Sequence, residues 1–168
     1  TAELGSGWGN CAIDASPLVR TMQVAGGLVR VPPMSVSKEP GLKELSLGDL
    51  EGVTGQEMRE GWPLLFADWR SNPEKLTMPN GESLVQLRGR AWQVVLNIEQ
   101  KHSSNEVVVI ISHNCAIRSI VGELLGQPLE FFHRMSLNLA SVCTFVSDDR
   151  GRRLTGYNST SHLSPGNR

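Results

Sequence analysis

The sequence predicts one α/β domain built on a mostly parallel sheet, and three observations carry that prediction. Strand-like and helix-like stretches alternate along the chain. Glu106–Ser112 is a β-branched run, polar only at its ends, as a central strand covered on both faces requires. Two apolar segments, ending at Ala15 and Ile111, pass directly into helix-starting residues. At 168 residues and 39% hydrophobic content the chain holds enough apolar material for one core, so the domain is read as 1–168.

The elements follow in order. Cys11–Ala15 reads as a strand, and Ser16-Pro17, with Ser as N-cap and Pro at the first helical position, opens a helix over Leu18–Val29. Val31–Gly41, rich in Pro, Ser and Gly, reads as a surface connection without an element of its own. Leu42–Leu50 alternates weakly, as a short strand running into the glycine-flanked turn Gly48–Gly52. In Thr54–Trp69 the residues Met58, Trp62, Leu65, Phe66 and Trp69 recur at spacings of three and four, a helical face read as packing against the sheet, with Pro63 as a break or second start. Pro79-Asn80-Gly81 is a turn. The longest helix then spans Glu82–His102, with Leu84, Leu87, Ala91, Val94, Val95 and Ile98 on its core side.

Beyond the Glu106–Ser112 strand, Ala116–Leu125 is a helix closed by Gly126 with Pro128 after it. Leu139–Ser147 and Arg152–Asn158 flank Asp148-Asp149-Arg150-Gly151 as an antiparallel hairpin. Thr160–Arg168 reads as a loose tail, whose end, 164–168, carries no motif.

Composition narrows the function classes. A net charge of −1 gives no general attraction to a polyanion, and Arg152 with Arg153 is too small a basic cluster for a nucleic-acid face. The longest aliphatic run, Val107–Ile111, falls far short of the ~18 apolar residues a bilayer span needs. Cys11, Cys115 and Cys143 are odd in number and widely spaced, which fits neither a disulfide framework nor a CxxC metal site and points to a reducing, cytoplasmic setting. None of the four histidines has metal-ligand spacing. The chain opens Thr1-Ala2-Glu3-Leu4-Gly5, without Met and without a basic-then-apolar signal region.

The chemistry concentrates at two strand-to-helix junctions. In open α/β sheets ligands bind beyond the carboxyl ends of strands, where a starting helix points N–H groups and partial positive charge at an anion. His113 stands at one such edge, in Ile111-Ser112-His113-Asn114-Cys115-Ala116. Arg20 lies one turn into the helix at the other, with a planar fork suited to phosphate or carboxylate oxygens. Glu44, near the end of the short strand, is placed as a general acid would be, though the same position suits a surface carboxylate. Asp49 and Glu51 read as turn residues, and Glu82 as a first-turn helix acid favoured by the dipole.

Together these segments resemble the ordered motifs of the histidine phosphatase superfamily, the phosphoglycerate-mutase-like group. The residues are Ser16–Thr21, Glu44–Gly52, Asn80–Ser83, Ser112–Arg118 and Asn158–Leu163, and the resemblance runs from about residue 11 to 163. Its look is that of the broad-specificity phosphatase and α-ribazole phosphatase branch. The resemblance implies a three-layer α/β/α sandwich and phosphoryl transfer through a phosphohistidine, with no metal or other cofactor. It implies that Arg20 binds phosphate, that Glu44 protonates the leaving oxygen, and that His113, with Asn114 beside it, holds phosphoryl oxygens. A small-molecule phosphate ester is the implied partner, with no nucleic acid and no membrane; a homodimer through the hairpin edge stays open.

One motif of that family has no counterpart here. The Arg-His-Gly at the end of its first strand, whose His becomes phosphorylated, is absent, and Thr1–Gly5 resembles the stretch that follows that strand by a couple of dozen residues. His102, His133 and His162 follow no strand-to-helix junction and do not replace it. The family's first strand lies mid-sheet, and leaving its neighbours' buried backbone groups unpaired costs about 1–3 kcal/mol each. The sequence therefore predicts further residues upstream of Thr1 carrying the nucleophile. A phosphomonoesterase leads, with a phosphomutase and a non-catalytic phosphate binder as alternatives.

Overall fold

The computed structural model describes residues 11–29, 35–103 and 105–164. The readings made for 1–10, for 30–34 within the loop after the first helix, and for 165–168 lie outside the described residues. β1 (Cys11–Ala15) leads through α1 (Val19–Leu28) to β2 (Val36–Lys38). Then come α2 (Gly55–Gly61), α3 (Pro63–Ser71) and the long α4 (Leu84–Lys101). β3 (Val107–Ile111), α5 (Asn114–Leu124), β4 (Val142–Asp148) and β5 (Gly151–Ser159) complete the order.

β1 is parallel to both neighbours, giving the order β2-β1-β3, with Ile13 beside Val36 and Val109, and Ala15 beside Lys38 and Ile111. Period-two alternation sends Ile13, Ala15, Val109 and Ile111 to one face, where Ala25 and Met22 of α1 cover them. Val108 and Ile110 face the other way, onto Ala91, Val94, Val95 and Ile98 of α4 and Ile120 of α5. Helices on both faces of a parallel sheet make the three-layer α/β/α sandwich that the resemblance implies.

β4 and β5 pair antiparallel as a separate two-stranded sheet around the turn at Asp149-Arg150. Phe145 of β4 packs into the same α4–α5 cluster as Val108 and Ile110 of β3. Two sheets thus lie on one helical layer, and among the described residues β3 pairs only with β1 and β4 only with β5. β3 has apolar contacts on both faces but is only half-buried, with Val107 58% exposed, and among the described residues it is an edge strand and not the central one read from the sequence.

Several local readings are corrected. Val36–Lys38 is a strand inside the stretch read as an unstructured connection; three residues carry no pattern of their own, and the β1 ladder supplies their partners. Leu42–Leu50 contains no strand: 3-10 turns at Pro40–Leu42 and Gly48–Leu50 bracket an extended segment held by loop and helix contacts. Leu18, not Ser16, is the N-cap of α1; the Ser16 hydroxyl accepts from the Leu18 amide at 3.4 Å, ahead of the helix, and meets the His113 ring at 2.8 Å. Pro63 starts a second helix, and the aromatic face of α2–α3 is half-exposed: Met58, Leu65 and Trp69 touch a core of Leu45, Leu50, Met78, Leu84, Leu87 and Phe132, while Trp62 stays 41% exposed. α4 buries all six predicted core residues. A Ser83–Gln86 capping box starts it, so Glu82 lies ahead of the helix instead of in its first turn. α5 begins at Asn114, two positions earlier than predicted, and a 3-10 turn over Leu129–Arg134 was not foreseen.

One glycine decides how the Glu44 loop closes. Gly48 has φ +55°, and a Cβ there would lie 2.1 Å from the Pro79 carbonyl oxygen, so the turn seats directly on the 79–81 backbone.

Candidate active site

β1 and β3 run side by side, and their carboxyl ends coincide: Ala15 pairs with Ile111, and the Ser16 amide donates to the Ile111 carbonyl at 2.9 Å. Residues that follow the two strands are therefore brought together across about a hundred positions of sequence. Arg20 Nε donates to His113 Nδ1 at 3.1 Å, and His113 Nε2 meets Ser16 Oγ at 2.8 Å. An arginine Nε–H can only donate, so Nδ1 carries the lone pair, and the ring proton sits on Nε2 and points to Ser16. The contacts thus assign a neutral His113 with one tautomer.

Burial, and then the Arg20 charge, push the His113 pKa below its ordinary 6.5, with Glu44 pulling weakly the other way. The sign of the consequence is fixed. Between the depressed native value and 6.5 the unfolded chain binds the extra proton, so the contribution of neutral His113 to stability is complete above that range, declines as pH falls through it, and levels off below. His133, also lowered by burial, adds a loss of the same sign. We expect urea midpoints to fall from pH 7.5 to pH 5.5, with His113→Asn removing part of the slope; a slope unchanged by that substitution contradicts the assignment.

Glu44 reaches the same place from a different loop. Its carboxylate accepts from the Cys115 amide at 3.1 and 3.2 Å, from the Ala116 amide at 3.3 Å, and from its own neighbour Leu45 at 2.9 Å. The N-terminus of α5, read from the sequence as a seat for an external anion, holds the chain's own carboxylate instead. A further bond, Ser112 Oγ to the Leu42 carbonyl at 2.7 Å, ties the Glu44 loop to the β3–α5 junction. Burial and the Glu44 charge push the Cys115 thiol up to about 12, so it is a filler and not a nucleophile.

Asn114 is turned aside: its amide donates to the Leu137 carbonyl at 3.1 Å, and its oxygen accepts from Arg118 at 3.2 Å. The Arg118 guanidinium stacks 3.8 Å from the Phe132 ring and bonds the Phe132 carbonyl. The structure thus brings Arg20, His113 and Glu44 together and leaves the Asn114 side chain bridging to the loop before β4. The other histidines lie elsewhere: His102 pairs with Glu106 at 2.6 Å, His133 bonds the Trp69 carbonyl, and His162 is exposed. Among the described residues no cluster of His, Cys, Asp or Glu could hold a metal, and no helix is long and apolar enough to cross a membrane.

Sequence reading missed Ser16 as the partner of His113, because Ser-Pro before a helix is a capping signal. It also missed the Glu82–Arg90 pair, which spans eight residues from a pre-helical position into the second turn and beyond, and for which only the opposite charges were a sign.

The chain is similar to known proteins along most of its length. The profile of the histidine phosphatase superfamily, branch 1, matches residues 2–160. Phosphoserine phosphatase 1 of Hydrogenobacter thermophilus is 29% identical over 151 residues, 90% of this chain and 71% of that protein. A 2,3-bisphosphoglycerate-dependent phosphoglycerate mutase of Bartonella henselae is 30% identical over 119 residues, 68% of this chain but only 57% of the mutase. Among solved structures, Bacillus stearothermophilus YhfR superimposes with a TM-score of 0.83 at 24% identity, covering 90% of this chain and 75% of YhfR. The fold, the paired strand ends and a profile match across nearly the whole chain converge: the protein belongs to the histidine phosphatase superfamily.

Proposed function

We propose that the protein hydrolyses small phosphate monoesters through a phosphohistidine. The observation that carries this reading is the convergence of Arg20, His113 and Glu44 at the carboxyl ends of β1 and β3. Phosphoryl transfer asks for positive charge and hydrogen-bond donors around the equatorial oxygens and for a proton on the leaving oxygen. Arg20 supplies the charge. The Nε2–H of His113, released from Ser16, donates to a phosphoryl oxygen, and the backbone N–H of Asn114 at the first position of α5 adds a donor. Glu44 carries the proton for the leaving group and returns to the α5 amides as a carboxylate.

In this reading the nucleophilic histidine lies outside the described residues, on a strand between the open edges of β3 and β4. Two sheets sharing one helical layer across a pair of unpaired edges support that placement. With that strand included, the chain reads as one domain, 1–168. Its setting is the cytoplasm, in keeping with three unpaired thiols, and its partner is a metabolite, not nucleic acid: Arg152 and Arg153 are already paired, with Glu99 and Asp148.

Phosphoserine, from the name of the Hydrogenobacter relative, is the first ester to try. The Bartonella relative keeps a mutase reading alive, and the two part on product: inorganic phosphate against an isomeric ester that needs a bisphosphate primer. For the acid, we expect Glu44→Gln in the full-length protein to slow alkyl phosphates by about 10²–10³, within the range for a positioned general acid, and p-nitrophenyl phosphate much less. Equal slowing across leaving groups argues against Glu44 as the proton donor.

A further inference from the structure

Arg90 spends all five of its N–H groups, and three of the five bonds end on the segment that carries Glu44. Nε and Nη2 each meet a Glu82 carboxylate oxygen at 2.7 Å. Nη1 reaches the Gly41 and Lys43 carbonyls at 2.7 and 2.8 Å, and Nη2 also reaches the carbonyl of Glu44 itself at 2.9 Å. Glu82 closes the frame: its second oxygen accepts from the Ser46 amide at 3.3 Å, and its own amide donates to the Ser46 carbonyl at 2.9 Å. The loop also presses on α4, since a Cβ on Gly41 would lie 3.0 Å from the Arg90 carbonyl oxygen and 2.5 Å from Val94.

Segment 43–47 has neither helix nor strand bonds to fix its height, yet its side-chain carboxylate must meet two particular amides at the start of α5. Arg90 grips the backbone of that residue on one side while the Cys115 and Ala116 amides hold its carboxylate on the other. Arg90 itself is anchored, because its helix neighbours Leu87, Ala91 and Val94 are core. A guanidinium suits the task better than an ammonium: its planar fork reaches a carboxylate and separate carbonyls at once.

We propose that Arg90, braced by Glu82, is a positioning residue for the Glu44 carboxylate, holding segment 41–46 where that carboxylate caps α5. The inference rests on Glu44 as the proton donor, and its test separates the two. The amides of Cys115 and Ala116 belong to the first turn of α5, where no helix carbonyl can protect them; Glu44 is their partner.

In 15N-labelled full-length protein, Arg90→Ala is expected to speed exchange of these two amides by about tenfold or more, towards the rate in Glu44→Ala, while Val95 and Ile98 in the middle of α4 keep theirs. Exchange equal to the unsubstituted protein overturns the proposal. On esters, Arg90→Ala should slow alkyl phosphates about tenfold more than p-nitrophenyl phosphate, with added guanidinium ion restoring part of the loss and Arg90→Lys falling between. Uniform slowing across leaving groups overturns it as well. Should Arg90→Ala fail to fold, Glu82→Gln, which keeps the carbonyl bonds and loosens the brace, must show the same pattern in smaller measure, and an unchanged pattern there counts against it. Should the unsubstituted protein cleave neither ester, the phosphatase reading falls, and the amide exchange still decides what Arg90 does.

Discussion

Arg20→Ala is expected to lower phosphomonoester turnover by about 10³ in the full-length protein, the lower end of what a single arginine contributes to phosphoryl transfer, and His113→Ala to lower it by about 10²–10³, as for loss of one oxyanion donor. The two losses are not expected to add. Arg20 Nε is the group that fixes the His113 tautomer, at 3.1 Å, so removing the arginine also frees the ring to place its proton on the wrong nitrogen. The double variant is therefore expected to be barely worse than Arg20→Ala alone, as for residues that act as a unit. The fold should survive both changes, because Arg20 is exposed and His113 lies at the end of a strand and not inside a core cluster. Kinetics on p-nitrophenyl phosphate, with circular dichroism on each variant, check this. Near-normal turnover in either single variant, or strictly multiplicative losses in the double, contradicts the site.

Phe132→Ala is expected to cost about 3–5 kcal/mol of stability, the range for emptying a large aromatic site in a core. Phe132 is 1% exposed and belongs to the cluster of Leu45, Leu84, Leu87 and Leu129. It also stands against the Trp69 ring at 5.8 Å and under the Arg118 guanidinium at 3.8 Å. That guanidinium is half-buried and its Nε has no partner among the described residues, so the ring face adds to the Asn114 and Phe132 bonds that hold it there. The truncation removes core contacts and the arginine's seat together. Phe131→Ala, one residue earlier and only half-buried, should cost far less. Urea titrations compare the two: a lower midpoint at constant m identifies a native-state loss. A Phe132→Ala cost under about 1 kcal/mol, at the level of an ordinary surface change, contradicts the packing described.

What could be read from the sequence divides by the range of the interactions involved. α4 was legible because its apolar residues repeat at helical spacing within one element, and all six are buried. β1, β3 and α5 were legible because strand ends, caps and Gly126 are signals carried by a few adjacent residues. β2 was not, since three residues hold strand geometry only by pairing with β1. Glu44 was placed in the site by resemblance, but its seat was not visible. The amides it caps are 71 and 72 positions away in sequence. Ser16 was misread for the same reason. Its local signal is that of a helix cap, and a contact with His113, 97 positions on, wins over it. Glu82 likewise looks like a dipole acid until Arg90, eight positions on, claims its carboxylate.

The account turns on a histidine taking up the phosphoryl group that Arg20 and His113 hold. Mixing the full-length protein with a phosphate-labelled monoester and quenching in alkali during turnover tests this most directly. The account predicts label bound to protein that survives alkali and is lost in acid, as a phosphohistidine is, and that is strongly reduced in Arg20→Ala. Label that is stable to acid, or vanadate binding with no label and no release of phosphate, would contradict it.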